Sequence, residues 1–166
     1  RFSRTPYTKL TDAITSGRRR AVDEAMDQLP LPPTADLGRP LLEVIQRMDD
    51  DLALRAAELL ATVRHGQGAV FLMEALLTPS LRVAPALIEL LDFEVMGTAW
   101  IRLPTVLRAL DSAPRQQLIQ RLVDNHARVP AWRWESAVLA CDAVHDMPLI
   151  LRHFQSLMLR TLRQEH

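Results

Sequence analysis

Cys141 and His145 are the two residues of this sequence whose types and spacing could do covalent chemistry. They stand four apart with Asp142 beside them, so on a helix they share a face. A thiol within reach of an imidazole is the arrangement of a Cys–His nucleophile and defines one reading, a small helical enzyme. The same spacing fits the apolar stripe of a helix, where a small thiol packs as a hydrophobe. Acyl chemistry also needs oxyanion donors and a third group, and the sequence supplies neither beside this pair. Packing is therefore the expected role, and no catalytic residue is assigned.

Asp49-Asp50-Asp51 offers carboxylates to a cation. At a helix start the same residues cap free N–H groups and meet the positive end of the helix dipole, which is the expected use. Arg18-Arg19-Arg20 could touch phosphates, but Asp23, Glu24 and Asp27 follow at once. That pattern reads as a solvated turn and helix edge. His65 and His126 fall between apolar segments. A glycine-rich phosphate loop, a metal-spaced Cys/His cluster and an HExxH zinc pattern are all missing, so neither a metal nor a cofactor is expected.

The elements that position these residues follow from an internal period. Slid against itself by 31 residues, the sequence aligns Leu10, Leu41, Leu72, Leu103 and Trp134. Three positions on come Ala13, Val44, Ala75, Val106 and Ala137, then Ile14, Ile45, Leu76, Leu107 and Val138. Further columns hold Ala25, Ala56, Leu87, Leu118 and Leu149, then Met26, Ala57, Ile88, Ile119 and Ile150. A last one holds Leu29, Leu60, Leu91, Leu122 and His153. Offsets of three and four mark one apolar helix face before the middle of each unit and a second after it. Between them lie turn and cap residues: Gly17, Asp49, Pro79-Ser80, Asp111-Ser112 and Asp146-Met147-Pro148. Each unit reads as helix, tight turn, helix. A unit this short cannot bury its own apolar face, so neighbours must stack. The expected fold is all-α, an α-solenoid of five stacked helix pairs filling residues 1–166 as one domain. A final helix over Leu157–Leu162 is expected to cover the open end of the stack.

Unit one reads Thr8-Lys9-Leu10-Thr11-Asp12-Ala13-Ile14, then Gly17, then Ala21-Val22 and Ala25-Met26. This resembles the ankyrin pattern T-P-L-H-x-A-A, a glycine turn and V-V-x-x-L-L. Unit two opens Asp36-Leu37-Gly38-Arg39-Pro40-Leu41, similar to the ankyrin D-x-x-G-x-T-P-L entry. Other helical-hairpin repeats, such as the tetratricopeptide and HEAT types, stay open as alternatives, with their longer periods counting against them. The resemblance implies a non-enzymatic module that binds a partner protein on a concave face built from first helices and connector tips. Transferred by column, that face would carry Arg39, Gln46, Arg47, Trp100, Arg102, Arg108, Trp132 and Arg133. A set rich in Arg and Trp implies an acidic, partly apolar protein partner. The second reading is a repeat domain of a larger enzyme, such as a secreted bacterial effector, presenting a substrate protein to a catalytic domain outside this chain.

Composition sets the remaining bounds. The 166 residues carry 20 basic and 20 acidic side chains, so the net charge is zero and no strong field draws in nucleic acid or an anionic membrane. The basic residues are all Arg except Lys9, a bias that reads as a GC-rich, bacterial genome. A single cysteine excludes an internal disulfide. No apolar run reaches the ~20 residues that span a bilayer, so a soluble, cytoplasmic protein is expected, or one in a host cell if part of an effector. The chain starts Arg1-Phe2-Ser3-Arg4 without Met, which reads as a fragment of a longer protein.

Overall fold

The computed structural model describes residues 4–130, 148 and 150–152. Among these residues every regular element is helical and no strand occurs. Over residues 4–130, eight α-helices form four consecutive pairs: α1 (Pro6–Ser16) and α2 (Arg19–Asp27), α3 (Gly38–Arg47) and α4 (Asp50–Ala61), α5 (Gly68–Ala75) and α6 (Ala84–Leu90), α7 (Leu103–Ala109) and α8 (Ser112–Asp124); residues 148 and 150–152 are helical as well.

Local chemistry sets the ends of these helices. Thr5 caps α1 by accepting from the Thr8 N–H at 3.1 Å, and Pro6 follows at the first helical position, where its missing N–H costs nothing. Gly17 ends α1 in the left-handed region at φ 69°, and its N–H donates to the Ile14 carbonyl at 3.0 Å. Asp49 caps α4 by accepting from the Leu52 N–H at 3.0 Å, with Asp50 and Asp51 in the first turn. The aspartate run is thus a helix start, as its sequence predicts.

The pairs stack in two layers. In one layer α1 packs on α3, α3 on α5, and α5 on α7 and the 3-10 turn Gly97–Arg102 before it. In the other, α4 packs on α6 and α6 on α8. Every member of the six apolar columns in the first four units is buried. The period therefore marks structurally equivalent core positions, and the architecture is a stack of helix pairs. Of the fifth unit, Ile150 is described and is buried as its column predicts. Trp134, Ala137, Val138, Cys141, His145, Leu149, His153 and the expected final helix lie outside the described residues.

Two glycines let neighbouring units approach closely. A Cβ on Gly68 would sit 1.8 Å from the Leu60 carbonyl oxygen, and one on Gly38 would sit 2.2 Å from the Phe71 ring. Each glycine opens a first helix: at Gly68 it lets backbone rest on the Leu60 backbone, and at Gly38 it makes room for the Phe71 ring of the next unit.

One expectation needs correction. The turn of unit three is not tight, since α5 ends at Ala75 and α6 starts at Ala84. Pro79 lacks an N–H and disfavours helix at Thr78, while Ser80 takes a positive φ of 54°, so neither helix propagates into this stretch. The connectors between units carry short 3-10 turns (Ala35–Leu37, Arg64–Gly66 and Gly97–Arg102).

Candidate partner-binding surface

Several arginines of the second layer are tied to a neighbouring unit. Arg18, the exposed cap of α2, is not among them and its side chain has no partner among the described residues, and Arg115 donates to the Leu110 carbonyl of its own unit. Arg55 of α4 forms ion pairs with Asp23 and Asp27 of α2. Arg121 of α8 donates to the Ile88 and Leu91 carbonyls and lies 4.7 Å over the Phe93 ring. Arg128 meets Glu94 at 2.9 Å, and Arg19 meets Asp49 at 2.6 Å. The Arg19 contact contributes to holding the Asp49 carboxyl below its ordinary range, though the larger cause is the Leu52 N–H; the same contact raises Arg19. Arg20 pairs with Glu24 within α2, so the arginine run is a solvated edge as expected.

The first-helix side differs. Gln46, Arg47 and Arg108 are exposed, and Arg102 is half-buried. Arg47, Arg102 and Arg108 have no hydrogen-bond or ion-pair partner among the described residues. Arg39 is exposed but committed, with its guanidinium 3.0 Å from Glu74 and 5.5 Å from the centre of the Phe71 ring. It ties unit two to unit three.

Trp100 does not belong to an exposed face. It is 5% exposed, and its ring lies 5.4 Å from that of Phe93. The cause is its register. Trp100 precedes Leu103 by three residues, and the 3-10 turn Gly97–Arg102 leads into α7, so Trp100 points to the same side as the core leucine. Its neighbour Ile101 points outward instead and is 64% exposed. Trp132 and Arg133 lie outside the described residues.

A shallow trough that no sequence motif marks runs along the connector edge of the stack. Its first part lies between Leu31-Pro32 and Val63, Arg64 and Gln67. Gln67 also borders a second part, shared with Val70, Val95 and Thr98. Val70 and Thr98 border a third part with Ile101, Arg102 and Thr105, an open groove of about 440 Å³. Leu31 and Val95, 77% and 42% exposed, join Ile101 as bare apolar side chains on this edge. One signal was available in the sequence. Thr8, Arg39, Val70 and Ile101 share a column two positions before the core leucines, where a solvent-facing row is expected. An isoleucine there is out of pattern.

Among the described residues no group of three or more His, Cys, Asp or Glu side chains is placed to hold a metal ion, and no helix is long and apolar enough to cross a membrane. Comparison of the chain with protein-family models, with curated proteins and with solved structures found no match.

Proposed function

We propose that this chain is a non-enzymatic protein-interaction module that receives an acidic partner protein on the outward side of its first helices. One observation supports this reading above others. Arg19, Arg55 and Arg121 of the second layer are spent on contacts between units, while Arg47, Arg102 and Arg108 on the first layer have no partner among the described residues. A guanidinium presents a rigid fork of donors matched to carboxylates, so unpaired arginines along one side favour an acidic surface. Nucleic acid is a poorer fit. The net charge is zero, and Trp100 and Phe93 are buried, so neither offers a base a stacking platform. The ankyrin resemblance supports the same mode of use, with first helices facing the partner.

The test is affinity capture with the wild-type chain and with a chain carrying Arg47→Glu, Arg102→Glu and Arg108→Glu. A protein retained by the first and released by the second is the expected result. Equal retention by both would refute the assigned surface.

A further inference from the structure

We infer that the connector-edge trough is a docking groove for an extended segment of the partner, one that carries both carboxylates and branched aliphatic side chains. This rests on the protein-interaction reading above and adds where the partner's chain lies and in what form. Continuity is the first argument. The three parts of the trough share Gln67, Val70 and Thr98, so one path runs across the connectors of three successive units. A path of this kind suits an extended chain, whose alternate side chains point to opposite sides.

Charge is the second argument. Arg64, His65 and Arg102 line the trough, and none of its lining residues is an Asp or Glu. Arg64 and Arg102 have no hydrogen-bond or ion-pair partner among the described residues. Of the carboxylates flanking the lining residues in sequence, Glu94 pairs with Arg128 and Glu74 with Arg39, while Asp36 accepts from the Thr34 hydroxyl. An incoming carboxylate thus meets cations that line the trough, with Asp36, next to Ala35 at its first part, as the adjoining acid. Between the cations stand Val95 and Ile101, exposed apolar surface that a partner's Leu or Ile would cover. A purely acidic segment would leave this surface wet, and a purely apolar one would leave the arginines unpaired.

The experiment uses the full chain and a synthetic library of peptides of about ten residues, long enough at ~3.3 Å per residue to follow the path, with each position drawn from Glu, Asp, Leu, Ile and Ser. A second library replaces the acids with Lys. Binding is read by fluorescence anisotropy, and the location by methyl shifts of Leu31, Val70, Val95 and Ile101. The expected result is saturable binding of peptides that mix acids with Leu or Ile, shifts at those methyls, and a loss of at least about tenfold in affinity with Ile101→Glu or Arg64→Glu. Both positions are exposed, so unchanged melting of these variants shows that the fold is intact. Equal binding of the Lys library, or affinity untouched by either substitution, would overturn the proposal. Backbone-amide shifts confined to Gln46, Arg47 and Arg108, with those methyls unmoved, would overturn the trough while leaving the first-helix surface in place. Binding of neither library would count against both. Self-association blocked by Ile101→Glu would show that a second copy is the occupant and overturn the choice of partner.

Discussion

Arg55 and Gln117 stand two repeat periods apart and reach back to the same two positions of the preceding second helix. Arg55 contacts the carbonyl of Asp23, at 3.5 Å, and the carboxylate of Asp27. Gln117 contacts the carbonyl of Pro85, at 3.0 Å, and the carboxylate of Glu89, at 2.9 Å. Pro85 and Glu89 are the column equivalents of Asp23 and Asp27. The repeat is therefore written in polar contacts between units as well as in the core.

This contact sets the first prediction. Arg55 is about one-third exposed, so its ion pairs are screened, and the charge contribution is of the order of a surface pair. Arg55→Ala should cost about 1 kcal/mol, read as a fall of about 2–4 °C in Tm for a chain of this size. Arg55→Lys should recover only part of this, since an ammonium cannot fork between Asp23 and Asp27. Unchanged melting of Arg55→Ala would show that the contact between units carries no stability.

Core columns set the second. Leu72→Ala should cost about 2–5 kcal/mol, as for other fully buried leucines. Gly68→Ala should also destabilise, by about 1–3 kcal/mol, because its new methyl group meets the Leu60 backbone and not a movable side-chain end. Chemical denaturation reads both, and a neutral Gly68→Ala would show that α4 and α5 lie further apart than described.

Trp100 and Ile101 form a matched pair of neighbours for the third. Trp100→Ala should cost about 3–5 kcal/mol, the range of buried aromatics. Ile101→Ala should change stability by no more than about 0.5 kcal/mol, typical of a surface site. Reversed values would place the tryptophan back on the outward face.

How far the sequence foretold the structure depends on the residue. Helical periodicity located the core because apolar side chains must recur at three and four to share a face, and each described column residue is buried. Asp49 was legible as a cap because an aspartate before an apolar helix has few better uses. Trp100 was misplaced because composition marks a tryptophan as a contact residue without saying which way it points. One residue of register, set by the 3-10 turn before α7, exchanged it with Ile101. The trough was illegible for a related reason. It is assembled from three connectors whose separations depend on how the units stack, and no local pattern encodes that distance. Arg39 looked free in the sequence because its partner Glu74 sits 35 residues on, in the next unit.

Asp49 sets the pH prediction. Its folded-state pKa is lowered, first by the Leu52 N–H and then by Arg19. A lowered carboxyl contributes stability that is present above its unfolded value, near the ordinary 3.8, and is lost as pH falls through the folded value. Wild type should therefore melt higher than Asp49→Asn at neutral pH, and the gap should close below about pH 4. A gap that persists at low pH would show that the carboxylate charge has no part in it.

The arginine division is the central claim, and the affinity of the captured partner tests it most directly. Titration of that protein into the wild type and into the Arg47→Glu, Arg102→Glu, Arg108→Glu chain should show a loss of at least about tenfold, with both chains melting alike. Equal affinities would contradict the account, because the arginines left unpaired by the fold would then have no part in binding.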